Sequence, residues 1–344
     1  MQNDNSRQWV LLPPLVPREV LAAQARQVES AGLAGIFVPQ IYSSPFMALG
    51  FCAAVTERVA LASGIAIAFT RSPFETAMTA MDLDRVSDGR FILGLGTSTK
   101  AWTEGLFGVP GFGKPVEHLR ETIEVIRLII AKSHTGELEK FDGSYHHHDW
   151  TTFQGAFAPP VRDRIPIWVG ATQRGLTRLA GEVADGFIDH PIHGVHWAVH
   201  EGQSALKEGL QKAGRDRSDI HWNAWFWTAV NDDRMEAIED SRPTVAFYAG
   251  MKQYEPMFAL HGFEKEARAC QAAIERRDKV SAAKAITNEM VETFVILGPQ
   301  DECRKRLAEV WEVADSFCLV PPLDGISPEK FGFYLAGIAN TFYG

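Results

Sequence analysis

Apolar residues along this chain fall into two alternating patterns: short runs that are apolar throughout, and longer stretches with apolar positions every three or four residues. Gln8–Leu12 is followed by Pro17–Ala31, where Val20, Leu21, Ala25 and Val28 share one helical face. Gly32 stands where a helix end needs a left-handed residue, and Leu33–Pro39 then reads as a strand around Ile36, Phe37 and Val38. The same rhythm predicts a helix at Ser44–Thr56, a strand at Val59–Phe69 and a helix at Pro73–Val86 opened by Ser72 and Pro73. Asp88-Gly89 makes a turn into the strand Arg90–Gly94. Further on, Val116–Ala131, Leu176–Val183, Val199–Ala213 and Asp233–Ala249 read as helices, with strands at Ile165–Val169, Gly186–Asp189 and Ile220–Val230. The last predicted unit is a strand at Thr293–Leu297 with the helix Asp301–Val313.

Eight strands, each followed by a helix, predict an α/β fold: a (β/α)8 TIM barrel with insertions, forming one domain over 1–344. A doubly wound open sheet is the competing arrangement, because the pattern does not contain strand order. Two segments exceed what a barrel needs. Leu138–Phe157, with Phe141-Asp142-Gly143-Ser144-Tyr145, predicts a hairpin, and Met251–Met290 predicts extra helices.

Composition narrows the function. The 344 residues are 46% hydrophobic and 22% charged, enough for a large core. Lys and Arg number 34 against 43 Asp and Glu, a net charge of −9 without any basic block, which disfavours nucleic acid and anionic membrane as partners. Cys52, Cys270, Cys303 and Cys318 are too far apart for a C-x-x-C pair and read as reduced cysteines of a cytoplasmic protein. Met1–Ser6 has no signal-peptide character, and no apolar stretch is long enough to span a bilayer.

A barrel places its chemistry at the C-terminal ends of the strands. Gly94-Leu95-Gly96-Thr97-Ser98-Thr99 could offer amides and hydroxyls to a phosphate, although it lacks the third glycine of a Rossmann fingerprint. Gly170-Ala171-Thr172-Gln173-Arg174-Gly175 precedes a helix and suits an anion, with Thr172 as a plain helix cap the simpler role. His190 and His193, beside Asp189, could hydrogen-bond or act as an acid. His146-His147-His148 reads as an exposed hairpin and not as a metal site, because only His146 and His148 can share a face. No nucleophile elbow, P-loop or H-E-x-x-H pair occurs, which points to a cofactor as the source of reactivity.

Several segments together resemble one family. They are Ala62-Ser63-Gly64-Ile65-Ala66, Arg71-Ser72-Pro73, the run from Leu83 through Ser87-Asp88-Gly89-Arg90 to Thr97, and Arg178 through Gly186. In this order they resemble the bacterial luciferase-like superfamily, and within it the branch using the deazaflavin coenzyme F420, similar to methylene-tetrahydromethanopterin reductase. The resemblance implies a barrel, commonly a homodimer, that passes a hydride between the deazaflavin and a small-molecule substrate. It also implies a non-prolyl cis peptide in the third strand, matching Gly64–Ile65 here. Cofactor-binding positions then fall on Ser63, Gly64, Ile65, Gly96, Thr97 and the loop Gly170, Ala171, Thr172, Gln173, Arg174, Gly175.

Two departures stand out. Gln40 occupies a place near the reacting face that is often acidic or histidine in relatives, and it cannot act as an acid or base. Gln173-Arg174 replaces a Gly-Pro, and Arg174 could supply compensating charge. Trp102, Phe107, Trp225 and Trp227 are the candidate substrate walls. An FMN-dependent monooxygenase and a non-catalytic binding barrel are the alternatives.

Overall fold

The computed structural model describes residues 4–152 and 158–344, so 153–157 of the expected hairpin segment lie outside the described residues. The chain begins β1 (Gln8–Leu11), α1 (Arg18–Ser30), β2 (Gly35–Val38), α2 (Pro45–Val55), β3 (Ala60–Ser63), β4 (Ala66–Ile67), α3 (Pro73–Val86) and β5 (Phe91–Gly96). It continues through α4 (Pro115–Lys132), β6 (Lys140–Asp142), β7 (His147–Asp149), β8 (Ile167–Gly170), α5 (Arg174–Val183) and β9 (Gly186–Ile188). Next come α6 (Gly194–Trp197), α7 (Gln203–Lys212), β10 (His221–Val230), α8 (Arg234–Ala249), α9 (Glu255–Leu260), α10 (Glu264–Glu275) and α11 (Lys279–Lys284). It closes with α12 (Asn288–Phe294), β11 (Val295–Gly298), α13 (Gln300–Ala308), β12 (Ser316–Val320) and α14 (Pro328–Phe342). These elements form two compact units. The larger holds Trp9–Ile188 and Ser204–Trp222, the smaller Met1–Gln8, Asp189–Gln203 and Asn223–Gly344.

In the larger unit the strands run parallel, β1 beside β2, β2 beside β3, β3 and β4 beside β5, β5 beside β8, and β8 beside β9. Ile36, Phe37 and Val38 are fully buried, as expected of an apolar run covered on both faces. On α4, Leu119, Ile123, Ile126 and Ile130 form the buried stripe. Ser72 caps α3, its hydroxyl accepting from the Glu75 N–H at 3.1 Å.

The expected strand Val59–Phe69 is two pieces, β3 and β4, followed by a short 3-10 turn at Ala68–Thr70. The division arises where β3 crowds β5. Ser63 Oγ donates to the Gly94 carbonyl at 2.8 Å and accepts from the Gly94 N–H at 2.9 Å. A Cβ on Gly94 would stand 1.8 Å from the Ser63 carbonyl oxygen, so only glycine permits this approach.

The hairpin is present, with β6 and β7 antiparallel and Phe141 opposite His148. The expectation of three solvent-exposed histidines is corrected for two of them. His147 is exposed and pairs with Asp142 at 2.6 Å, while His146 and His148 share the other face, as the two-residue period of a strand requires. His146 Nε2 lies 2.8 Å from Thr122 Oγ1, and the His148 ring stacks 4.7 Å from Trp150. Burial, reinforced by His118, pushes the His146 imidazole down to about 4. Among the described residues no group of His, Cys, Asp and Glu could hold a metal ion.

The smaller unit is organised by β10. Its Asn223–Trp227 segment pairs with Ser316–Val320 of β12, and its Trp227–Val230 segment with Val295–Gly298 of β11. This corrects the expected chain end. β11 is a short strand on the last residues of β10, and a further strand and helix, β12 and α14, follow it. The overlooked signal is Ser316-Phe317-Cys318-Leu319-Val320, buried at every position ahead of Pro321-Pro322. The stretch Met251–Met290 is helical as expected, giving α9, α10, α11 and the start of α12. The N-terminal Arg7 lies 4.0 Å over the Trp311 ring and donates to the Trp311 and Asp315 carbonyls. Among the described residues no helix is long and apolar enough to cross a membrane.

Replacing Ser63 with Ala strands both polar groups of Gly94 in a buried place. We expect Ser63→Ala to lower the unfolding free energy by about 1–3 kcal/mol in urea titrations; an unchanged midpoint would show that the bridge carries no stability.

Candidate functional site

In the larger unit, the segment joining β3 to β4 contains a cis peptide bond between Gly64 and Ile65, at the position the family resemblance implies. The Ile65 side chain rests on bare backbone. A Cβ on Gly96 would come within 2.8 Å of Ile65 Cγ1, and one on Gly170 within 2.7 Å of Ile65 Cγ2. The ends of β5 and β8 thus form a floor that only glycine leaves open. Gln40, immediately beyond β2, ties the segment down: its N–H donates to the Ile65 carbonyl at 3.2 Å. Its Oε1 accepts from the Ile67 N–H at 3.0 Å and from Arg71 Nη1 at 2.9 Å. Both partners are donors, so the side-chain amide has one possible orientation. Its NH2 makes no hydrogen bond among the described residues and can donate, but not titrate. Arg71 also lies 5.1 Å over Phe46, and burial lowers the pKa of its guanidinium against an opposing pull from Glu75.

Two loops flank this floor. β5 extends to Gly96, beyond the expected end at Gly94. Thr97 is buried and donates from Oγ1 to the Ser98 carbonyl at 3.1 Å, and Ser98 takes a left-handed φ of 54°. In the second loop α5 begins at Arg174, so Arg174 and Gly175 belong to its first turn. Its N-cap is Gln173 and not Thr172, with no side-chain cap bond. The first turn of α5 sits at the positive end of the helix, which suits an anion. Ala171 donates its N–H to Ile188 at 3.0 Å, and Arg174 is bonded to Glu208 at 2.6 Å, which offsets part of its charge. Trp102 and Phe107, in and just after the turn Ala101–Leu106, are half-buried, and Tyr42 lies against Trp102 at 5.9 Å.

In the smaller unit, Asp189 accepts from the Trp225 N–H, and the next residues form a small capping box. His190 Nδ1 accepts from the Ile192 N–H at 3.2 Å, and the His190 N–H donates to His193 Nδ1 at 3.3 Å. An Nδ1 that accepts leaves the proton of the neutral His190 ring on Nε2. His193 is 1% exposed and stacks 3.6 Å from Trp197, which makes it part of the packing that orients His190. Around His190 the rings of Tyr248 and Tyr254 lie at 5.0 and 5.7 Å, and Trp227 lies 5.9 Å from Tyr248. Trp225 and Trp227 are 7% and 2% exposed, and the Trp227 Nε1 is buried without an acceptor among the described residues. Burial, with His193 adding, pushes the His190 ring down to about 3. Burial also raises Tyr248, with Tyr254 and Asp324 contributing, and raises the Asp324 carboxyl itself.

Sequence reasoning missed Tyr248, Tyr254 and Asp324. The tyrosines sit in helical stretches where an aromatic residue has no distinguishing spacing. Asp324 would have been found had Ser316–Val320 been read as a strand, because it stands just beyond that strand's C-terminal end.

The fold is the (β/α)8 barrel. A solved coenzyme F420-dependent tetrahydromethanopterin reductase from Methanopyrus kandleri matches with a TM-score of 0.81 and 23% identity, covering 97% of each chain. The chain belongs to the luciferase-like monooxygenase family, whose profile matches residues 6–315. A Mycobacterium tuberculosis protein provisionally named a coenzyme F420-dependent oxidoreductase is 30% identical, covering 89% of this chain and 90% of that one. The 5,10-methylenetetrahydromethanopterin reductase of Methanolobus tindarius is 28% identical, covering 87% and 89%.

The neutral His190 has a consequence for stability. The unfolded chain takes up the ring proton near pH 6.5, the folded chain only near 3, so stability is complete above 6.5 and falls as the pH drops through that window. We expect His190→Gln to flatten this decline by at most about 1.4 kcal/mol per pH unit. Urea unfolding at several pH values checks this, and identical slopes in both proteins would place the titration elsewhere.

Proposed function

We propose that this protein is an oxidoreductase that exchanges a hydride between coenzyme F420 and a small organic substrate. The observation that carries the reading is the floor at Ile65, where Gly96 and Gly170 have no Cβ and Gln40 holds the backbone on both sides. An apolar side chain fixed over open backbone suits the face of a flat ring, which it can support without offering an acid or base. The names of the F420-dependent relatives support the same coenzyme. When bound, the deazaflavin supplies the hydride-exchanging carbon.

The residues have distinct parts in this reading. Ser63 holds β3 against β5, Gly64 and Ile65 back the ring, and Gln40 offers an NH2 donor at its edge. Gly96, Thr97, the Gly170–Gln173 loop and the first turn of α5 at Arg174 and Gly175 face the phosphate. A chain of net charge −9 has to bind a polyanion through such local donors, because its overall field opposes the approach.

Gly96→Val places new atoms where Ile65 stands. We expect it to weaken F420 binding by about tenfold or more, ~1.4 kcal/mol or above, with the circular dichroism spectrum retained. Unchanged affinity would remove this floor from the coenzyme site. Fluorescence titration of the unaltered protein separates the readings: tight binding of F420 supports the proposal, tight binding of FMN alone moves the protein to flavin chemistry, and binding of neither favours a non-catalytic barrel.

A further inference from the structure

We propose that the β6–β7 hairpin is a pH-sensitive latch on the loop 107–114, in which Tyr145 holds the loop and His146 holds the hairpin to α4. The loop has little of its own to fix it. Gly108, Gly111 and Gly113 take left-handed φ values of 68°, 87° and 60°, and ordering glycine costs more backbone entropy than ordering any other residue. Its far end is held from outside. The Lys114 N–H donates to the Tyr145 hydroxyl at 3.2 Å, and the Tyr145 ring lies so close to Gly113 that a Cβ there would stand 2.5 Å from Tyr145 Cε1. The Phe112 N–H donates to Glu104 Oε1 at 3.1 Å, while its carbonyl accepts from His118 Nδ1 at 3.1 Å. The His118 ring stacks on Phe69 at 3.8 Å and on Tyr145 at 4.3 Å, so the hairpin, α4 and the loop meet in one column of rings.

His146 supplies the sensitivity to acid. Thr122 Oγ1 donates its one proton to the His118 carbonyl at 2.8 Å, so its 2.8 Å contact with His146 Nε2 has the imidazole as donor. A second proton on this ring would bring two cations together, because the His118 ring lies only 5.2 Å away and also titrates. The titratable groups bearing on His146 are His118 and Glu121 of α4 and His148 and His147 of the hairpin. Burial disfavours its charged form most, the three histidines add to this and Glu121 alone opposes, which leaves the ring down at about 4. Glu121 is itself engaged, accepting from the Ser144, Tyr145 and His146 N–H groups at 2.8, 2.8 and 2.6 Å. Burial opposes its charge, but these bonds prevail and hold its carboxyl below the usual range, so it stays ionised while the histidine titrates. In a released hairpin the His146 ring would titrate near 6.5, so closure is fully favoured above 6.5 and weakens as the pH falls toward 4. The loop begins at Phe107, whose N–H donates to the Trp102 carbonyl at 2.9 Å. A bearing on substrate access rests on the function proposed above; the latch does not.

Hydrogen–deuterium exchange of the full chain without coenzyme tests the latch, read on peptides of the loop 107–114, the hairpin and β2 and corrected for the intrinsic pH dependence of exchange. From pH 7 to 5 we expect loop and hairpin to lose protection together by about tenfold, with β2 unchanged, which separates local release from unfolding. His146→Gln keeps an N–H donor for Thr122 and cannot titrate, so its loop should stay protected over that range. Tyr145→Phe keeps the ring and loses the hydroxyl, and should lower loop protection at pH 7 by about three- to tenfold. A loop unprotected at pH 7, or equally protected in Tyr145→Phe, would overturn the proposal. So would loop and hairpin responding to acid separately, or a full acid response in His146→Gln. Should His146→Gln not fold, Tyr145→Phe and the pH profile of the unaltered protein decide.

Discussion

The contact of Ile65 with bare backbone organises the ends of β3, β5 and β8 in the larger unit. Three glycines make it possible, Gly94 at the Ser63 carbonyl and Gly96 and Gly170 under the Ile65 side chain. Each removes a Cβ that would collide with the end of β3 or with the segment joining it to β4. The hydrogen bonds then lock what the missing atoms allow, with Ser63 bridging both polar groups of Gly94 and Gln40 gripping the Ile65 carbonyl and the Ile67 N–H. Ile65 is thereby held by steric exclusion from below and by directional bonds from the side, the kind of support that lets a site keep its geometry.

The smaller unit shows a different economy. Its functional candidates are polar groups committed to one protonation state by burial and by their neighbours. The Ile192 amide selects the His190 tautomer, burial keeps the ring neutral, and His193 stacks beneath on Trp197. Gln40 in the larger unit obeys the same logic, since two donors on its oxygen leave only its NH2 to face outward. Both residues sit where acid–base chemistry would be sought, and both are built as hydrogen-bond donors.

Much of the fold was legible in the sequence because its strands are short, wholly apolar and flanked by helices with one apolar stripe. Ile36-Phe37-Val38 and the Leu119–Ile130 stripe needed no tertiary information. The misreading at Thr293–Leu297 has a specific cause. β11 has the same apolar signature as a barrel strand, and only its register, on the last residues of β10, reveals it as an addition while β12 takes the longer pairing. The hairpin histidines failed in the same way, since alternation put His146 and His148 on one face but could not say that this face would be covered.

By itself the sequence determined the βα rhythm, the hairpin and helical additions, the family, and the positions of the glycines and Gln40, because periodicity and local motifs are properties of neighbouring residues. Tertiary structure decided the rest. It showed which side chain the glycines accommodate, how Gln40 is oriented, which nitrogen of His190 carries the proton, and that Tyr248, Tyr254 and Trp227 share one cluster. Those features depend on atoms far apart in the chain being brought within hydrogen-bond or van der Waals range, and on the burial that results, neither of which a linear pattern contains.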